Sequence, residues 1–131
     1  MPKFSRASVG ETLNFANTSD TPFSVAEVGS GRFAFLGVDS FVKDTGGNVT
    51  ISCEFSYDKT NWYRVKLPTA PATDWTKVYS ASVSSAELVP VYDTTANIYI
   101  PIPAPFIRFT AKLASFAGSP TLTGRQILTE Y

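Results

Sequence analysis

Eleven carboxylates and no histidine leave Asp and Glu as the groups able to act as general acid or base near neutral pH. A glycoside-cleaving pair would need two of them converging across a cleft. Most instead fall in turns or on the polar side of alternating segments, where solvation accounts for them, and no pair is favoured by spacing. A Ser-His-Asp triad is impossible without histidine. Cys53 is the single cysteine, so it forms no internal disulfide and no cysteine-based zinc site. Set among alternating apolar residues and without a His partner, it reads as a small buried hydrophobe. Asp39 with Asp44, and Asp58 with Asn61, offer oxygens to calcium but lack the dense ligand alternation of a dedicated loop. No glycine-rich phosphate loop opens a helix. The expectation is a chain with no catalytic residue, no metal site and no cofactor.

Aromatic residues make a stronger case for contact than for catalysis. Ten Phe, six Tyr and two Trp amount to 14% of the chain. Alternation assigns Phe35, Phe55 and Phe109 to the core. Tyr57, Trp62, Trp75, Tyr79, Tyr92 and Tyr99 fall in loops or on polar faces, where an aromatic can stack on a sugar or anchor a protein interface. They can equally cover a second sheet or pack beneath a long loop. The candidate interface or ligand contacts are therefore Tyr57, Asp58, Trp62, Pro71 and Trp75. Ser56, Asn61 and Arg108 are expected to build the hairpin that carries them.

The elements that position these residues are strands. Val49, Ile51, Cys53 and Phe55 alternate with Thr50, Ser52, Glu54 and Ser56. After the turn Tyr63, Val65 and Leu67 alternate with Trp62, Arg64 and Lys66. Ile98, Ile100 and Ile102 form a further stripe, and Ile107, Phe109, Ala111 and Leu113 another, opposite Arg108, Thr110 and Lys112. A period of two is the pattern of antiparallel strands with one buried face. Further strands are predicted at Glu11–Phe15, Phe23–Glu27, Arg32–Lys43, Lys77–Val83, Glu87–Tyr92 and Thr121–Thr129. The fold class expected is an all-β, antiparallel two-sheet β-sandwich, jelly-roll-like, of about eight to ten strands.

Turn chemistry separates the strands. Asp44-Thr45-Gly46-Gly47 supplies glycines for positive φ. Ser56 to Asn61 brings side chains that cap their own loop. Leu67–Trp75 (LPTAPATDW) is predicted to protrude. Three prolines in Ile100-Pro-Ile-Pro-Ala-Pro105 remove ladder donors and point to an extended crossover.

At 131 residues the chain fits one domain, 1–131, with residues 1–8 as an extended N-terminal arm, loose or docked on a neighbour. Lys plus Arg equals Asp plus Glu, and the basic residues are scattered, so nothing favours nucleic acid or an anionic membrane. MPKFSRASVGETLNF has no apolar core of a signal peptide, and no run reaches the length of a membrane span. The expected site of synthesis is a cytoplasm, without export by a signal peptide.

The run Glu54–Tyr63 (EFSYDKTNWY) resembles the S-x-D-G-x-x-W hairpin of discoidin-type, galactose-binding-like β-sandwiches. Ser56, Asp58 and Trp62 match, and Lys59 stands where the family has Gly. Ile102–Phe109 is similar to a late strand of the same families, in which Pro leads into an aromatic, a branched aliphatic, Arg and a hydrophobic residue. Arg108 takes the Arg position. Small, unsecreted, cysteine-poor chains with this pairing resemble virion components of tailed bacteriophages: head decoration or cement proteins, and tail or neck accessory subunits.

The resemblance implies a non-enzymatic structural protein of the virion. It would bind other virion proteins and copies of itself in a symmetric capsid or tail lattice, with neither nucleic acid nor membrane as partner. Symmetric assembly is also one way to cover the open edges of a sandwich. The alternative is a carbohydrate- or receptor-binding module, with a surface glycan held near Trp62, Trp75, Tyr57 and Asp58.

Overall fold

A computed structural model of the chain describes residues 4–29, 31–43, 47–69 and 72–130. These residues form thirteen strands and no helix: β1 (Phe4–Ala7), β2 (Glu11–Asn14), β3 (Thr21–Pro22), β4 (Ala26–Glu27), β5 (Phe33–Val42), β6 (Val49–Ser56), β7 (Tyr63–Arg64), β8 (Thr76–Tyr79), β9 (Glu87–Pro90), β10 (Tyr92–Asp93), β11 (Ile98–Tyr99), β12 (Phe106–Leu113) and β13 (Thr121–Thr129). All pairings among them are antiparallel, and the fold is an all-β sandwich as the alternation predicts.

Beside the two-stranded β10–β11 hairpin there are two main sheets, each built on two long central strands flanked by short ones. In the first, β13 pairs β5, with β1 and β2 end to end along the free edge of β13 and β9 on the far edge of β5. In the second, β12 pairs β6, with β3 and β4 end to end on β12 and β7 and β8 end to end on β6. The strand number exceeds the sequence expectation because the edges are broken. Phe23–Glu27 yields only β4 and its approach, and Tyr63–Leu67 pairs regularly only at Tyr63 and Arg64. Short edges give a neighbouring chain little ladder to extend.

The core follows from the long strands. Leu36, Val38 and Phe41 of β5 and Leu122 and Leu128 of β13 face Val49, Ile51 and Cys53 of β6 and Ile107, Phe109, Ala111 and Leu113 of β12. Full burial of a Leu, Ile or Phe contributes about 1.5–3 kcal/mol each, so this double layer dominates the favourable side of folding. Cys53 is wholly buried there, and burial pushes its thiol far above the ordinary value. A second aromatic cluster lies on the other face of β5. The β10–β11 hairpin lays Tyr99 against Phe33 and Phe35, with ring centroids 6.0 and 5.7 Å apart, and so buries Phe35.

Besides a shift between Phe4 and Arg6 on β1, two bulges disturb the registers of the long strands. Ser40 pairs Thr123 and Val38 pairs Gly124, leaving Asp39 as an extra residue in β5. A Cβ on Gly124 would come within 2.5 Å of the Gly37 carbonyl oxygen, so only glycine fits this approach. On β12, Thr110 pairs Pro22 and Ile107 pairs Ala26, so Phe23, Ser24 and Val25 stand opposite only Arg108 and Phe109. Gln126 of β13, 1% exposed, reaches across the sandwich to this bulge. Its amide oxygen accepts from the Phe109 N–H at 2.7 Å, and its amide nitrogen donates to the Ser24 carbonyl at 2.7 Å. Glu11 of β2 holds the same segment, its carboxylate accepting from the Ser24 N–H and hydroxyl at 3.0 Å each.

The N-terminal segment is not a free arm where it is described: Phe4–Ala7 pairs with β13, and the Ser8 N–H donates to the Gln126 carbonyl at 2.8 Å. Residues 1–3 and the predicted turn residues Asp44, Thr45 and Gly46 lie outside the described residues. The proline run is an extended crossover as predicted. Ile100, Ile102 and Ala104 are buried, and Pro101, Pro103 and Pro105 are exposed.

Candidate functional site

Ser56 closes β6 and organises the turn that follows. Its buried hydroxyl donates to Asp58 Oδ1 at 3.0 Å and accepts from the Asp58 and Lys59 N–H groups at 3.2 and 2.9 Å. Asp58 then accepts from the Asn61 and Thr60 N–H groups, both at 2.8 Å, and from the Asn61 side-chain amide at 2.8 Å. Those donors, the Asn61 N–H foremost, hold its carboxyl well below the usual carboxylate range. The charge is stable at neutral pH but is spent on the loop. This is an Asx-type turn, not a proton donor or a cation cradle.

Lys59, where the resembling families carry Gly, adopts φ of 65°. An L residue in that left-handed region costs roughly 1–2 kcal/mol. Part of the cost is offset where its ammonium lies 4.8 Å from the Phe106 ring centre.

The solvent face of β6, β7 and β12 carries a chain of charges that begins at this hairpin. Arg108 lies over the Trp62 ring at 4.1 Å and donates from Nε to Glu54 at 2.9 Å. Glu54 also pairs with Arg64 at 3.4 Å, and Arg64 reaches Asp20 at 2.7 Å and the Thr110 hydroxyl at 3.3 Å. Register explains the pairing: Arg108 and Arg64 are the two cross-strand neighbours of Glu54. Arg108 thus meets the acid on an adjacent strand that sequence reasoning expects. The guanidinium occupies one face of Trp62, which leaves that face closed to a sugar ring.

On the opposite side of the same strands is an aromatic patch. Phe55 touches Tyr63 and Tyr57, with ring centroids 5.7 and 6.2 Å apart. Tyr57 is 60% exposed and Tyr63 53%. Alternation predicts Tyr63 on the inward side with Val65. Its partner Phe55 is only half-buried and Tyr63 is exposed, so the inward-facing pattern reaches beyond the packed core at this end. That displacement adds Tyr63 to the exposed aromatics, which the sequence pattern missed.

The structure separates Trp75 from this surface. Trp75, expected in a protruding loop, is 5% exposed and packs edge-on against Phe109 at 6.1 Å. The reason is that the loop ends are fastened. The Leu67 N–H donates to the Thr73 carbonyl at 2.8 Å, Lys66 pairs with Asp74 at 2.5 Å, and the Trp75 N–H donates to Val65 at 2.9 Å. Thr69 donates to the buried Asp93, which also caps the Thr95 and Ala96 N–H groups. Pro71 lies outside the described residues. Among the described residues no group of three or more His, Cys, Asp or Glu side chains could hold a metal ion.

No family model, no curated protein and no solved structure matches this chain.

Proposed function

We propose that this chain is a non-enzymatic structural subunit of a bacteriophage virion that decorates or cements a capsid, or serves as a tail or neck accessory, and attaches through protein–protein contacts in a symmetric assembly. The observation that carries the reading is the Phe55–Tyr57–Tyr63 patch, whose two tyrosines are more than half exposed while resting on a half-buried ring packed against the core. Tyrosine is among the residues that dominate interface energetics, because it supplies large, stiff contact area with a polar tip. A standard interface covers about 800 Å² per partner, and repeated copies on a lattice add avidity to modest single contacts. The turn chemistry of Ser56, Asp58 and Asn61 supports the reading by holding Tyr57 in place at little further entropic cost on binding.

The test is sedimentation of the full chain alone and with purified phage heads and tails, beside the double variant Tyr57→Ser, Tyr63→Ser. The expected result is association by the wild type and at least a tenfold weaker association by the variant, whose folding stability is retained. A chain that stays monomeric and pellets with neither particle overturns the proposal. Saturation transfer from the aromatic protons of that same monomer to free saccharides would favour the carbohydrate-binding alternative.

A further inference from the structure

We draw no further inference here: the strongest candidate, the groove of about 410 Å³ between β8 and β9 lined by Trp75 and Val89, has its Lys77 and Glu87 already paired at 3.6 Å, and nothing in the structure shows what covers it.

Discussion

Replacing Gln126 with Leu keeps the side chain's bulk and removes the amide that serves the bulge on β12. Two backbone groups then lose their partner at once, the Phe109 N–H and the Ser24 carbonyl, each bonded at 2.7 Å in the wild type. Leaving a buried donor or acceptor unsatisfied costs about 1–3 kcal/mol. Gln126 and Phe109 are both buried, so water has no easy route to the Phe109 N–H, whereas Ser24 is exposed and its carbonyl can be rehydrated. The Phe109 loss gives about 1–3 kcal/mol and the part-buried Ser24 bond about 0.5–1.5 kcal/mol, reduced by about 1 kcal/mol for the better transfer of a Leu side chain. The expected destabilisation is therefore about 0.5–3.5 kcal/mol, against the 5–15 kcal/mol typical of a domain. Urea unfolding followed by tryptophan emission measures it, and hydrogen exchange at the Phe109 amide localises it. Gln126→Glu supplies an independent check. Its carboxylate can still accept from the Phe109 N–H but meets the Ser24 carbonyl with like polarity, so burial raises its pKa in the folded state. A group raised in this way carries its penalty above the unfolded value near 4.3 and loses it as pH falls. Gln126→Glu should thus approach wild-type stability in acid. If Gln126→Leu unfolds within about 0.5 kcal/mol of the wild type, or the Phe109 amide stays fully protected, the bridge is not what holds the bulge.

Lys59→Gly relieves a positive φ worth roughly 1 kcal/mol and loses a cation–π contact worth about 0.5 kcal/mol, so its urea midpoint should equal or slightly exceed the wild type's. A clear fall would mean that the ammonium on Phe106 outweighs the backbone strain. Asp58 and Asp93 are both held below the usual carboxylate range by N–H and O–H donors. Their stabilisation is present above the unfolded value of about 3.9 and is lost as pH falls through the lower folded values. Asp58→Asn should accordingly flatten the acid limb of stability against pH, read by thermal melts between pH 2 and pH 6, about the span over which such groups titrate. Because Trp75 is 5% exposed, Trp62→Phe should leave a blue-shifted emission that iodide does not quench, whereas Trp75→Phe should leave a partly quenchable one. The two tyrosines of the patch are exposed and make few core contacts, so Tyr57→Ser with Tyr63→Ser should cost no more than about 1 kcal/mol of folding stability while it removes association.

The central strands were legible from alternation alone. Val49–Ser56, Ile107–Leu113 and Thr121–Thr129 each present one apolar face, and a period of two has only one economical way to be buried. The turn at Ser56, Asp58 and Asn61 was equally legible, because short polar side chains cap backbone groups within their own loop and need no distant partner. Arg108 could be assigned to an acid on a neighbouring strand, although which acid waited on the register.

Trp75 and Tyr63 exchanged places relative to the expectation. Periodicity reports which side of a strand a residue faces, but not whether another sheet covers that side at that height. Tyr63 shares its side with Val65, yet only Val65 lies beneath the facing sheet. Trp75 sits in a segment whose composition reads as an exposed loop, and only the pairing of its ends to Val65 and Thr73 turns the indole onto Phe109. Gln126 left a trace, a polar residue in phase with Leu122 and Leu128, but its partners are 17 and 102 residues away.

Local chemistry therefore determined the all-β class, the long strands and the self-capped hairpin, since those depend on neighbours in the chain. Tertiary structure alone decided which aromatics face water, where the edges break and what a buried amide holds. Each of those depends on the distance between two sheets, which no local pattern encodes.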